Sequence, residues 1–271
     1  MLSVIIPAAN EERWIGGCLA ALFASDPVPG GVEVIVVANG CRDRTAGVAR
    51  AAPVPAGWRC EVIELEQGSK PLALNTGDAH ARGGTRVYLD ADCTVSPPVL
   101  AELARALATE APAYAGATPQ VAPARSRLTR AYARFWSCLP FNREIAPGYG
   151  LYAMNAAGRV RRGPFPDLIS DDSFARLSFS REERVQVPAT YQWPMAEGWA
   201  ALVRTRRRQD AGMRELARLC PDLVARAEST RPGAGAILRL ALRDPWGFLV
   251  YAAVSLAVRA RRGGADFTRG R

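Results

Sequence analysis

Val87-Tyr88-Leu89-Asp90-Ala91-Asp92 runs from an apolar, strand-forming triplet straight into two carboxylates separated by one small residue. β-branched and aromatic residues favour a strand, and acids are seldom buried inside one unless paired. The segment therefore predicts a strand whose carboxyl end delivers two acids to one ligand. Upstream the same pattern recurs three times. Leu2 to Pro7, Val32 to Val37 and Glu61 to Leu65 are strand-like runs, followed by Ala8-Ala9-Asn10-Glu11, Ala38-Asn39-Gly40 and Gly68-Ser69-Lys70. Helical periodicity fills residues 11–24, 43–51 and 70–82, and Pro97-Pro98 opens a further helix to Thr109. Strands alternating with helices in this way indicate βαβ units in a parallel sheet, every strand being expected to lie buried on both faces. Ligands of such sheets bind at the carboxyl ends of the strands, where these polar residues stand.

The 271 residues, 49% of them hydrophobic, suffice for a sizeable core. No run approaches the roughly 20 apolar residues of a membrane-spanning helix, and the first residues lack the basic-then-apolar order of a signal peptide; a cytoplasmic body is expected. The cysteines at 18, 41, 60, 93, 138 and 220 show neither a C-x-x-C pair nor zinc spacing and are expected to be reduced. A single histidine, His80, excludes a multi-histidine zinc centre and is the one residue that could serve a serine–histidine or cysteine–histidine nucleophile; it is given no role. The net charge of +9 suits an anionic partner, and 34 of the 35 basic residues are arginine, Lys70 being the exception.

Four segments in order resemble the family 2 glycosyltransferases, whose fold is called GT-A. They are Val4-Ile5-Ile6-Pro7-Ala8-Ala9-Asn10-Glu11-Glu12, Val34–Val37 with Asn39-Gly40-Cys41-Arg42-Asp43-Arg44-Thr45, Gly68-Ser69-Lys70-Pro71-Leu72-Ala73-Leu74-Asn75, and Leu89-Asp90-Ala91-Asp92. The resemblance implies an α/β GT-A fold, with a Rossmann-like, mostly parallel central sheet flanked by helices. One GT-A domain is expected over 1–230, with a nucleotide-sugar half over 1–110 and an acceptor half over 111–230, followed by a helical appendage over 231–271. The resemblance also implies a nucleotide-diphosphate sugar donor, an inverting transfer, and a divalent cation, manganese or magnesium. Carried across position by position, Pro7, Ala8 and Glu11 would line the nucleoside pocket. Lys70 would lie beside the nucleotide, Asp90 would touch the ribose or the metal, and Asp92, beyond Ala91, would bind the ion bridging the diphosphate. Such ions take only one or two protein carboxylates and complete their shell with water and phosphate, so a pair of acids suffices. Two positions depart from the family. Ala9 replaces a common aromatic residue, and Asn39 stands where many relatives use an acid to read the base. An amide donates and accepts whereas a carboxylate only accepts, so the base is not inherited from the resemblance.

After Pro112 the alternation decays. A strand is expected over Tyr114–Thr118, an arginine- and aromatic-rich helix over 126–138, a turn at Pro147-Gly148-Tyr149-Gly150, and helices over 171–180 and 197–219. Ser170-Asp171-Asp172-Ser173 stands where relatives carry an acidic pair whose second member is the catalytic base, which designates Asp172. Asp171 beside it would raise the proton affinity of the pair, or would alternatively cap the helix. Thr205-Arg206-Arg207-Arg208-Gln209-Asp210-Ala211-Gly212 resembles the family's Q-R-x-R-W-x-x-G segment without its Gln and Trp. The tryptophan form is associated with polymerising synthases, so a single addition is expected here. Arg206 and Arg208 would offset charge on the departing diphosphate, or else form a solvated basic face.

Arg231-Pro232-Gly233 marks a linker, and Ala234–Leu242 and Pro245–Val258 are apolar helical stretches closed by Arg259, Arg261 and Arg262. Such a segment either contacts an anionic membrane peripherally, on the inner face of the cell membrane, or docks on the body. The acceptor is expected to be a glycan or a lipid-linked hydroxyl, as in cell-surface glycan, polysaccharide or glycolipid synthesis. A sugar-phosphate nucleotidyltransferase would carry a glycine-rich basic loop after its first strand, where this chain has Pro7 to Glu12. A nucleic-acid-binding module would not place acids at the strand ends, so no nucleic-acid partner is expected.

Overall fold

The computed structural model describes residues 1–225 and 233–260. Among them run strands β1 (Leu2–Ala8), β2 (Val32–Asn39), β3 (Arg59–Leu65), β4 (Thr85–Leu89), β5 (Thr94–Val95), β6 (Tyr114–Val121), β7 (Leu151–Met154) and β8 (Arg184–Trp193). The helices are α1 (Ile15–Phe23), α2 (Thr45–Arg50), α3 (Lys70–His80), α4 (Val99–Ala106), α5 (Arg127–Ser137), α6 (Ala156–Arg162), α7 (Asp171–Leu177), α8 (Gly198–Leu219), α9 (Pro221–Ala225), α10 (Ala234–Arg243) and α11 (Pro245–Ala260). The strands make one sheet in the order β3-β2-β1-β4-β7-β6-β8-β5. β3, β2, β1 and β4 are parallel; β7 runs antiparallel to β4 and β6, and β5 to β8.

Because side chains alternate along a strand, β1 and β2 feed two layers at once. Val4, Ile6, Val34 and Val36 join Ile15, Leu19 and Leu22 of α1 and Leu100 and Leu103 of α4 in the main core. Ile35 and Val37 point the other way, onto Ala73 of α3. Gly77 lets α3 press on the sheet, since a Cβ there would collide with the Ile5 side chain. Ser69 caps α3 by accepting from the Leu72 N–H at 3.4 Å, and Pro71 occupies the first turn, where its missing N–H costs nothing.

Three local expectations change. β3 is the edge strand and alternates exposed with half-buried residues rather than being buried on both faces, which is how its Arg59, Glu61 and Glu64 remain solvated. The first helix begins at Ile15 rather than near residue 11, because the Glu11 and Glu12 N–H groups donate to Thr45 Oγ1 (2.8 Å) and Asp43 Oδ2 (3.1 Å), with Asn10 at φ 58°. The β5–β8 pair was not anticipated: two residues of β5 carry too little pattern to announce a strand.

The described residues fall into two compact units, Met1–Gln120 with Ile145–Trp193, and Val121–Glu144 with the described part of Pro194–Phe267. The first holds the strands together with α1–α4, α6 and α7. The second is helical, with α11 packed against α5 and α8, and the ring of Phe135 of α5 set at a tilt against Phe248 and Tyr251. Glu197 fixes the start of α5 by accepting from the N–H groups of Arg125 (2.7 Å) and Ser126 (3.0 Å). Among the described residues no helix is long and apolar enough to cross a membrane. Of the expected linker only Gly233 lies among the described residues; Arg231, Pro232, Arg261 and Arg262 lie outside them.

Candidate active site

The only lysine of the chain opens α3 and joins two distant acids. Lys70 Nζ lies 2.9 Å from Asp90 Oδ1, just past the end of β4, and 3.2 Å from Asp171 Oδ1, the first residue of α7. The loop leading into Lys70 is braced by Gly40, at φ +60°, where a Cβ would fall 2.7 Å from the Gly68 backbone. Asp171 is almost completely buried and accepts from Tyr152 Oη at 3.3 Å. Burial pushes its pKa up to about 6, Lys70 pulling it down while Asp172 and Asp90 add to the rise. Burial likewise raises Asp172, against the pull of Lys70 and of the Ser173 N–H that donates to its Oδ1 at 2.6 Å. Burial opposes the charge of Lys70, but Asp171, Asp90 and Asp172 outweigh it and hold the ammonium above its ordinary pKa. One ammonium thus faces three carboxylates, and the charge of Arg176 acts on Asp172 as well.

Asp171 does not cap α7. Ser170 is the cap residue and makes no side-chain cap bond, while the Asp171 carboxylate is turned to Lys70 and Tyr152.

The turn at Pro147-Gly148-Tyr149-Gly150 runs along both acids. Gly148, at φ +85°, would set a Cβ 2.5 Å from Tyr114 Oη and 3.9 Å from the Asp172 Cβ. Gly150, at φ +69°, would set one 2.6 Å from Cys93 Sγ and 3.6 Å from Asp90 Oδ2. The Gly150 carbonyl accepts from the Asp90 N–H at 2.8 Å, and Tyr191 Oη donates to the Tyr149 carbonyl. Stacked rings of Tyr88, Tyr152 and Tyr114 continue beside them, with centroids 4.9 and 5.9 Å apart. The turn was legible in the sequence, but its part in the site was not. Two glycines on either side of one tyrosine were the only signal, and Tyr114 and Tyr152 gave none beyond strand propensity.

Pro7 and Ala8 end β1 beside Val37 and Ala38 of β2, and Asn39 follows, buried, donating to the Ala8 carbonyl at 3.1 Å. Asp92 is buried, and Cys93 Sγ donates to its Oδ1 at 3.7 Å; Cys18 Sγ reaches the Asp90 carbonyl at 3.8 Å. Burial and the nearby acids push both thiols up, so they stay protonated. Among the described residues no group of three or more His, Cys, Asp or Glu side chains could hold a metal ion. The donor set of Asp90 and Asp92 is all carboxylate oxygen, which fits a hard cation that shares its shell with phosphate and water, and does not fit a closed protein cage.

Arg206 and Arg208 belong to the helical unit. Two residues apart on α8, they leave the helix on different sides. Arg206 donates to Tyr132 Oη (3.3 Å) and Tyr251 Oη (3.5 Å) and pairs with Asp210, while Arg208 is exposed. His80 is exposed and bonded to Glu61 at 3.0 Å, away from these acids.

The model of Glycosyl transferase family 2 matches residues 3–162. Glycosyltransferase AglE of Haloferax volcanii is 37% identical over 93 residues, 34% of this chain and 31% of its own length. The 4,4'-diaponeurosporenoate glycosyltransferase of Staphylococcus aureus strain USA300 is 36% identical over 96 residues, 34% of this chain and 24% of its own length. The match thus spans less than a third of either relative. The mannosyltransferase PcManGT of Pyrobaculum calidifontis, solved with GDP-Man and Mn2+, shares the fold with a TM-score of 0.58 over 97% of this chain and 76% of its own, at 21% identity. The architecture is GT-A, as expected, and with the family model covering more than half of its length the chain belongs to glycosyl transferase family 2.

Proposed function

We propose that this chain transfers a single sugar from a nucleoside-diphosphate sugar to a hydroxyl acceptor, with inversion at the anomeric carbon. The observation that carries the proposal is Lys70 holding Asp90 and Asp171 together, with Asp172 next in line, at the carboxyl ends of the parallel strands. Asp172 is the base. Its raised pKa suits a carboxylate that must accept a proton near neutrality. It takes the proton of the acceptor hydroxyl as that oxygen attacks the anomeric carbon; the bond from that carbon to the diphosphate oxygen breaks, and its electron pair leaves with the nucleoside diphosphate. Asp171, pinned by Lys70 and Tyr152, holds the start of α7 in place and keeps Asp172 in a field of negative charge. Asp90 and Asp92 would hold a divalent cation, manganese or magnesium, whose chemistry there is to offset diphosphate charge. Pro7, Ala8, Glu11 and Asn39 form the nucleoside side.

A lipid-linked acceptor and a peripheral contact with anionic membrane are supported by the charge of the helical unit. Its described residues carry 14 Lys or Arg against 6 Asp or Glu, whereas those of the first unit carry 15 against 18. α10 buries none of its residues, and Leu238, Leu242, Trp246 and Leu249 are exposed among Arg239 and Arg243. Flotation with phosphatidylglycerol vesicles but not phosphatidylcholine vesicles, abolished by Leu242→Glu with Trp246→Glu, is the expected result.

The transfer itself is tested by a thermal-shift screen of nucleotide sugars with and without manganese, then by NMR of the product. A nucleoside diphosphate and an inverted anomeric centre are expected. Retention would overturn the mechanism, and release of pyrophosphate would favour a nucleotidyltransferase.

A further inference from the structure

Tyr114 is completely buried on β6, and its hydroxyl finds no hydrogen-bond partner among the described residues. A buried hydroxyl without a partner costs stability that a phenylalanine ring would not, so its presence calls for a reason other than packing. The neighbouring strand supplies a precedent. Tyr152 of β7 stacks on Tyr114, centroids 5.9 Å apart, and donates to Asp171 Oδ2 at 3.3 Å. Two stacked tyrosines thus stand beside two consecutive acids, and one of the two bonds is made. Gly148 brings the second pair together. At φ +85°, a Cβ there would lie 2.5 Å from Tyr114 Oη and 3.9 Å from the Asp172 Cβ, so the hydroxyl and the acid border one spot that a side chain would fill. Asp171 is already held by Tyr152 and Lys70, whereas Asp172 takes the Ser173 N–H on Oδ1 and, among the described residues, no donor on Oδ2.

We infer that Tyr114 is a positioning residue for Asp172: once the acceptor is bound, its hydroxyl donates to the Asp172 carboxylate and fixes which oxygen faces the acceptor. The inference rests on Asp172 being the base, as proposed above. Without acceptor the half-buried carboxylate is in reach of water; an acceptor lying over it excludes that water, and an ionised carboxylate then needs a donor from the protein. Tyr114 lends the bond and keeps its proton. Burial, with Asp172 and Asp171 acting against Arg176 and Arg184, holds its pKa above the ordinary tyrosine value. The charges bearing on Asp172 are those of Lys70 on α3, Asp90 past β4, and Asp171 and Arg176 on α7, so the neutral donor from β6 adds to a field already set.

Tyr114→Phe removes one oxygen and leaves the ring stack. Its urea midpoint is expected to equal or exceed the parent's, because no bond present in the fold is lost, whereas Tyr152→Phe, which breaks one, should lower it. In sugar transfer Tyr114→Phe should lower kcat about tenfold or more at unchanged donor KM. A hydrogen bond to the charged form favours that form, so the acid limb of kcat, which reports the substrate complex, should move upward by about half a unit or more. The limb of kcat/KM, which reports the free enzyme, should stay in place. A parent-like kcat and limb in Tyr114→Phe, with the parent active, would overturn this inference alone. So would a urea midpoint that falls in step with kcat, the mark of a hydroxyl that serves the fold. A parent that transfers no sugar from any nucleotide sugar would overturn the proposed function and this inference with it.

Discussion

Helix α3 carries a charged cluster at each end, and the two are built on opposite rules. At its last turn Asp78, buried, accepts from Tyr88 Oη at 2.7 Å and from Arg162 Nη2 at 2.5 Å, with Arg86 Nε at 3.6 Å. The Arg162 side chain is wholly buried, its guanidinium 3.7 Å from the centre of the Phe165 ring. Here two cations and aromatic faces enclose one anion, and water is shut out. At the first turn one lysine meets three carboxylates, and both Lys70 and Asp90 keep part of their surface in solvent. In the sealed cluster Arg86 Nε and Arg162 Nε and Nη1 find no hydrogen-bond partner among the described residues, so losing the one anion is costly, an unpaired buried charge costing several kcal/mol. An open one stays within reach of a partner the chain does not supply. The difference separates the end of α3 that holds the fold from the end proposed to hold a ligand.

The largest effect is expected at the sealed end. Asp78→Ala leaves two buried guanidinium groups without their anion and should cost about 3–5 kcal/mol in urea unfolding. Lys70→Met, at a partly solvated position, should cost far less. Equal losses at the two ends would break the comparison.

Asp172→Asn comes next, and sharpens the open end. It should lower kcat by about 10²–10⁴-fold while the urea midpoint stays near that of the parent, since a lost base removes rate without removing packing. Asp171→Asn should cost less activity. A greater kinetic loss at Asp171 would exchange the roles of the two acids.

What the sequence disclosed follows the same division. The four strand ends and their polar residues were legible because burial imposes an apolar run and a strand end interrupts it, as at Leu89-Asp90. Lys70 stood out by composition alone, although nothing in the sequence says that it would tie Asp90 to Asp171, 81 residues further on. Arg162 and Arg86 looked like two more surface arginines in a chain with 34 of them, and only packing distinguishes a wholly buried guanidinium from a solvated one. The edge position of β3 was hidden for a related reason, since strand order is a property of pairing and not of any one strand's pattern.

Gly150→Ala is a smaller perturbation that probes the wall between the acids. The substitution strains a φ of +69° and drives a methyl group toward Cys93 Sγ, displacing the turn that accepts from the Asp90 N–H. A loss of about 1–3 kcal/mol in stability is expected, with donor binding weakened more than the urea midpoint alone predicts. Unchanged donor affinity would detach this turn from the site.

The finest test is the pH profile, because stability and activity should move in opposite directions over one window. Asp171 has a folded pKa of about 6 against an unfolded value near 3.9. A carboxyl raised in this way binds its proton more tightly when folded, so the stability it contributes is fully present below about pH 4 and is lost as the pH climbs through about 6. Activity needs the ionised pair and should rise over that same interval, giving kcat/KM an acid limb near 6 instead of near 4. Lys70 lowers both acids, so Lys70→Met should carry the limb upward by about one unit, whatever it does to the rate itself. A limb that stayed in place, or moved to lower pH, would mean that Lys70 does not set the charge state of the pair. The open cluster would then be a bystander to the chemistry beside it.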